Sequence, residues 1–309
     1  MAQVAAYEDV KLTRKSRELP GGHMTWRTDF ISRSSEDPDG PVAFLAESTP
    51  KRLLRTHFHE VDQFQIIALG GGRLAKHRLA FGGVHFARAF TPYGPIVNGE
   101  EGIGFITLRA RRDSESKAQF IPECRERLAE ISNRTPWQVT EMARFKAPDG
   151  DMSLEQFEQM RDDRGLAVYA LTMKPHASGQ APAPGCGQYV VVTKGGLVDH
   201  GKEKKGLTVI WVGPNEKPFQ LKAGADGLEA IVLNFPREQA PAPAAKAVTA
   251  KPDGELKVWQ CVLCAFVYDE AAGMPEEGIP PGTRWADVPE TFGCPDCDAK
   301  KADFEMIEF

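Results

Sequence analysis

Arg55-Thr-His-Phe-His-Glu-Val-Asp-Gln-Phe-Gln65 (RTHFHEVDQFQ) sets two histidines two residues apart at the start of a β-type run. On a strand, residues two apart point to one face, so His57 and His59 can reach a single metal ion together. Gln63 follows four residues after His59, and Gly70 seven after that. Similar short runs recur on both sides: QFQIIAL, GVHFARAF, GFITLRA, LAVYALTM, QYVVVT, LTVIWV and EAIVLNF, separated by Gly, Pro and Asn turn signals. Residues 114–163 read differently. ESKAQFIPECRERLAEISN and SLEQFEQMRDDRG carry helical spacing and charged faces, which predicts a helical insert.

The β-type runs repeat without gaps. A shift of 125 residues lays Gln63 on Gln188, Gly70-Gly71 on Gly195-Gly196 and Gly102 on Gly227. It also pairs Ile66-Ile67 with Val191-Val192, Ile106 with Ile231 and Leu108 with Leu233. Turn glycines and apolar positions coincide at one offset, so two similar β units are expected. The period is too long for a solenoid and suits duplicated barrels.

The spacing from His57 to Gly70 resembles the first motif of the cupin family, HxHxxx(E)x6G, with Gln63 in place of the usual Glu. The resemblance implies a small double-sheet β-barrel, often duplicated, with a metal site inside. The family's second motif, PxGxxH, is matched by Pro92-Tyr-Gly-Pro-Ile-Val97 except at its end, where Val97 replaces His. His85 in GGVHFARAF is the substitute expected on an adjoining strand, and His77 is a weaker one. A buried, hydrogen-bonded His85 is the bland alternative. In the second unit the counterparts of His57, His59 and His85 are Pro182, Pro184 and Ile210, so one barrel is equipped and the other emptied. His57, His59, Gln63 and His85 are therefore the expected ligands of a second divalent metal such as Fe(II). A metal-free pocket lined by histidines is the competing reading. Phe58, Phe64, Phe86 and Phe105 are candidate lining residues on either face.

Arg237-EQAPAPAAKAVTAKPDG-Glu255 cannot bury a core; its alternating Ala and Pro predict an extended, semi-rigid linker. The expected organisation is a duplicated region at 1–236, a linker at 237–254 and a small domain at 255–309. Within the first, a barrel with the histidines spans 20–112, the helical insert 113–164, and a second, degenerate barrel 165–236. Charge divides along the same line. Residues 255–309 hold twelve Asp/Glu and four Lys/Arg, a net of −8, leaving a net of +3 on the remainder. The acidic tail is expected to dock on basic protein surfaces. No basic run suggests nucleic acid, and no segment reads as a membrane span. The N-terminal residues lack the apolar core of a secretory signal, so a cytoplasmic, reducing location is expected, which argues against disulfides among the six cysteines. Cys124 and Cys186 read as structural or incidental.

The other four form Cys261-x2-Cys264 and Cys294-x2-Cys297. Each pair makes a tight turn aiming two thiolates at one point, and together they offer a tetrahedral sulfur cage for zinc or a single iron. In and around the span they enclose stand Trp259, Phe266, Tyr268, Trp285, Phe292 and Phe304, too many aromatics for a plain zinc ribbon. Gly278-IPPGTRWADV-Pro289, followed by GCPDCDAKKADFEM, resembles rubredoxins, in particular those that serve bacterial alkane hydroxylases. That resemblance covers 256–309 and implies one iron held by all four cysteines, carrying single electrons. Two departures stand out: rubredoxins usually place Gly after each CxxC, where φ is positive, and here Ala265 and Asp298 stand instead.

Three functions follow. In the first, the tail passes electrons to a metal at His57/His59, making a cupin-type oxygenase or other oxidoreductase. In the second, it carries electrons to a separate oxygenase, and the barrels dock a partner or bind a small molecule. In the third, the tail is a zinc-filled structural module. Expected partners are an NAD(P)H-dependent rubredoxin reductase or similar donor, an oxygenase client, and a second copy of the chain through the barrels.

Overall fold

The computed structural model describes residues 2–32, 37–113, 118–121, 123–129, 136–237, 256–261 and 266–307. The expected linker, Cys264 and Ala265 lie outside the described residues, apart from Arg237. Two large antiparallel sheets account for most of the rest. In the nine-stranded sheet the central order is Gly83–Ala87, Gln63–Leu74, Ile96–Arg109, Val42–Ser48, His23–Ile31. In the eight-stranded sheet it is Thr208–Val212, Gln188–Asp199, Gln220–Asn234, Ala167–Met173, Met152–Arg161. The 125-residue shift carries Val42–Ser48, Gln63–Leu74, His77–Ala80 and Gly83–Ala87 onto Ala167–Met173, Gln188–Asp199, Lys202–Lys205 and Thr208–Val212, matching both ends each time.

The repeated glycines mark a shared close approach. Gly70 and Gly195 have φ of 56° and 77°, and a Cβ on either would sit 2.2 Å from the carbonyl oxygen of Gly102 or Gly227. Only glycine lets neighbouring strands cross so tightly.

Alternation along the strands decides what each side chain does. Phe64, Ile66, Val84, Phe86, Ile106 and Leu108 point out of the first barrel into a core shared with the second. Their counterparts Tyr189, Val191, Val209, Trp211, Ile231 and Leu233 meet them there, so the barrels pack through equivalent faces. Phe64 and Phe86 thus hold the barrels together and do not line a pocket. Tyr189 OH donates across this joint to the carbonyl of Arg109 at 3.0 Å. The pairing faces are used within one chain, so a homodimer would need other surfaces. The leading strands are exchanged as well: Gln3–Ala6 pairs with Thr208–Val212 of the second barrel, and Gln138–Met142 with Gly83–Ala87 of the first.

The helical insert expected at 113–164 is corrected here. Among the described residues it holds one short helix, Arg125–Ala129, and three strands, Gln119–Phe120, Gln138–Met142 and Met152–Arg161. Phe157 and Met160, three apart, imitate helical spacing. A register shift between Gln156 and Arg161 against Ala167–Met173 forms a bulge, which turns both side chains into the shared core. Among the described residues no helix is long and apolar enough to cross a membrane.

Candidate functional site

The tail builds its core around three short strands, Val258–Cys261, Val267–Asp269 and Phe304–Ile307. Trp285 is the hub: the rings of Trp259, Tyr268, Phe292 and Phe304 lie 5.4, 5.2, 5.5 and 4.7 Å from it. Glu270, which the sequence did not flag, is buried beneath and accepts from Trp259 Nε1 (3.0 Å), the Trp285 amide (2.9 Å) and the Lys257 amide (2.8 Å). Burial works against its charge, but these donors and Arg284 hold its carboxyl below the ordinary range.

Beside this core Cys261, Cys294 and Cys297 are buried with their sulfurs all within 4.8 Å of one another. Cys261 Sγ and Cys297 Sγ are 3.7 Å apart. A tetrahedron with metal–thiolate bonds of about 2.3 Å has an edge of about 3.8 Å, so the spacing fits one ion. Both turns are closed by backbone bonds of 2.8 Å, from the Cys261 amide to Phe266 O and from the Cys294 amide to Ala299 O. Asp298 takes φ of 59°, the left-handed conformation its place after the CxxC requires. Cys264, the fourth expected ligand, lies outside the described residues.

The tail is packed onto the first barrel at the histidine segment. Phe58 and Leu128, both fully buried, belong to one apolar cluster with the three cysteines, and Phe90, Ile121 and Cys124 pack against it. Thr56 Oγ1 donates to the Cys297 carbonyl at 3.1 Å. His77 Nε2 lies 3.7 Å from Asp296 Oδ1, and Lys76 Nζ 5.9 Å from the Phe266 ring centre, so this edge of the barrel meets the tail. His77 is thus a docking residue and Phe58 an interface residue. Cys186 is exposed.

One residue beyond Thr56, His57 is buried, with Nδ1 2.9 Å from the Arg55 carbonyl. Burial, helped by His59, pushes its pKa down to about 3, so the ring is neutral. His59 Nδ1 lies 2.6 Å from Asp113 Oδ2, and burial holds His59 below its ordinary value even though Asp113 pulls the other way. The two rings meet edge-on with centroids 5.4 Å apart. A carbonyl on one Nδ1 and a carboxylate on the other orient both rings and reserve Nε2 for a ligand, as supporting groups do for metal-binding histidines.

Gln63 does not join them. Its Oε1 accepts from Arg109 Nε (3.1 Å) and Nη2 (2.9 Å), and its Nε2 donates to Tyr93 OH. The second barrel supplies the reason. There Gln188 Nε2 donates to Asn234 Oδ1 at 2.8 Å, and Asn234 is the counterpart of Arg109. A glutamine that makes the same strap in a barrel without histidines closes the barrel and is no ligand. Arg109 also lies 3.4 Å from Asp113. Asp113, Arg109 and Tyr93 were not singled out from the sequence; an Arg opposite an Asn at the end of an apolar run was the available signal.

The Tyr93 ring contacts both His85 and His57, with centroids 4.8 and 4.6 Å away. His85 Nδ1 meets Thr140 Oγ1 at 3.0 Å, while Nε2 is buried with no hydrogen-bond partner. Among the described residues no three His, Cys, Asp or Glu ligand atoms of the barrel lie within 4.8 Å of one another; of the expected four, His57 and His59 have their rings in edge contact. Burial, then the charge of His77, pushes the His85 pKa down to about 3. The folded chain keeps it neutral, while the unfolded chain protonates it below about 6.5. Its contribution is complete above that pH and is lost as pH falls from about 6.5 toward 3. His85→Leu is expected to flatten the loss of stability over this window, by up to several kcal/mol, as read from denaturant midpoints at stepped pH.

A thiolate cage against an aromatic core defines a small metal-binding domain, here docked on a pair of β-barrels. The rubredoxin family matches residues 258–304. Rubredoxin-2 of Pseudomonas aeruginosa is 64% identical over 53 residues, 17% of this chain and 96% of that protein. Rubredoxin-1 of Alcanivorax borkumensis is 60% identical over 53 residues, 17% of this chain and 98% of that protein. The chain belongs, through this domain, to the rubredoxin family. The barrels are similar in fold to oxalate decarboxylase of Lactobacillus farciminis in its formate complex, with a TM-score of 0.53 at 11% identity over 76% of this chain and 86% of that one. A putative dioxygenase from Nostoc punctiforme superposes with a TM-score of 0.50 at 15% identity, over 80% and 88%.

Proposed function

We propose that the rubredoxin domain feeds single electrons to a metal centre at His57 and His59, making the chain a self-contained oxidoreductase of the oxygenase type. The carrying observation is the 3.1 Å hydrogen bond from Thr56 Oγ1 to the Cys297 carbonyl. One peptide bond joins Thr56 to His57, so covalent bonds and one hydrogen bond link a thiolate of the donor to an imidazole of the acceptor. Phe58 and Leu128 keep water out of the joint. The iron supplies a one-electron couple with little change in geometry. A redox partner such as an NAD(P)H-dependent reductase reloads it. In the barrel the neutral imidazoles offer lone pairs, while the Arg109 guanidinium weakens the hold on a dication. Bacillus subtilis oxalate decarboxylase has Mn(II) centres, which makes Mn(II) a candidate beside Fe(II).

The test is stopped-flow reoxidation of the reduced domain in metal-loaded full-length protein. The rate should be independent of protein concentration, slow severalfold in Thr56→Val, and fall in His57→Ala to that of a chain without barrel metal. A match to free-standing rubredoxins over 96% and 98% of their lengths favours a second reading, a complete carrier for a separate oxygenase. A rate that follows protein concentration and ignores His57→Ala would establish that reading instead.

A further inference from the structure

The first barrel is not filled like the second. Between strands Lys15–Leu19, His23–Ile31 and Val42–Ser48 lies a cavity of about 330 Å³, walled by Phe44 and Phe105 and edged by Arg27 and Arg52. Register sets Arg27 beside Ala46 and Ala46 beside Phe105. These positions alternate with Leu45 and Ile106, which point into the joint between barrels, so they face the barrel's other side, as Thr107 and Arg109 do.

The 125-residue shift turns the second barrel into a control. Arg27, Ala46, Ser48 and Arg52 correspond to Met152, Leu171, Met173 and Ala177. Leu171, Met173 and Ala177 are buried in that barrel's own core, with Met152 packed against them. Met152 Sδ and Met173 Cε lie 2.9 and 3.2 Å from where a Cβ of Gly179 would stand, so they fill one space. Where the second barrel carries an apolar plug, the first has small side chains and two guanidinium groups.

These cations are not equally engaged. Arg27 pairs with Asp29 at 2.7 Å and lies 3.7 Å over the Phe44 ring. Glu47, the acid of the lining, is bound at 3.1 Å through both oxygens by Arg14. Arg52 is half-buried and, among the described residues, its guanidinium has no hydrogen bond or ion pair. A cation partly withdrawn from water without a counter-charge is a standing cost that a bound anion relieves.

We infer that the cavity binds a small aromatic carboxylate, its ring against Phe44 and Phe105 and its carboxylate on Arg52. Cavities of this size hold a ring-sized ligand, and a guanidinium is suited to the planar carboxylate. Binding itself stands alone; that this ligand is the substrate rests on the electron-feeding reading above.

Calorimetric titration of the full-length protein with benzoate, and with benzamide as its neutral analogue, tests the inference. Benzoate should bind at one site per chain. Benzamide, or benzoate with Arg52→Met, should bind about 10- to 100-fold more weakly, the range of a lost charge-assisted contact. Ala46→Leu combined with Ser48→Met imports the plug of the second barrel and should abolish binding, with an unchanged thermal transition of the barrels reporting an intact fold. His57→Ala, which stops electron delivery, should bind benzoate as the parent does, so the two proposals fail separately. Equal affinity for benzamide, an unchanged affinity in Arg52→Met, or no saturable heat at millimolar benzoate would overturn the inference.

Discussion

Cys294→Ser is expected to strip the iron and the visible absorption from the chain, and to stop electron delivery, while both barrels stay folded. Cys294 is buried at 3% exposure and shares one cluster with two other sulfurs and the aromatic hub. A serine oxygen is a harder and weaker donor than a thiolate, so the cage loses its preference for iron. In so small a domain metal binding and folding are one free energy, of order 10 kcal/mol for structural thiolate sites. The barrels have their own cores and do not depend on it. Metal analysis, the visible spectrum and thermal melting should therefore show loss of one iron and one transition, with the barrel transition kept. A full-strength visible band would show that Cys294 is not a ligand.

Arg109→Met should destabilise the barrels by about 3–5 kcal/mol, because it leaves a buried charge without its partner. Arg109 is 6% exposed and serves Gln63 twice and Asp113 once. Burial favours a protonated Asp113, but the His59 bond and the Arg109 charge outweigh it and hold the carboxyl below the usual range. Without the guanidinium, Asp113 keeps only part of that support and the Gln63 oxygen loses both donors. For a unit of this size the loss lowers the melting temperature by about 10 °C. Asn234→Ala is the comparison at the matching position of the second barrel. It breaks neutral hydrogen bonds and should cost about 1 kcal/mol. Equal losses in both variants would show that the charge network adds nothing to a strap.

The rubredoxin domain was legible because its chemistry is local. Two CxxC turns place their own thiolates, and the aromatics between them identify the core that packs alongside. The barrels were legible through their repeat, because two copies of one alternating pattern expose the scaffold positions by coincidence. Reading stopped where one residue's role depends on the strand opposite. Phe64 and Phe105 look alike in sequence, but one lies in the joint between barrels and the other in the cavity. Gln63 fills the place of a ligand in the motif, yet it is held by Arg109, which lies 46 residues away. Met152–Arg161 carries helical spacing that a bulge explains only once its neighbour is known.

The sequence by itself determined a duplicated β region, an iron-binding tail and a histidine pair aimed at one face, since periodicity and ligand spacing are properties of contiguous chain. Tertiary structure alone decided that the tail rests on the histidine segment through Thr56 and Cys297, 241 residues apart. It alone showed that Gln63 is a strap, and that the first barrel is hollow where the second is plugged. Each of those facts is a contact between distant segments, and hydrophobic burial specifies that such segments meet without marking which atoms will touch.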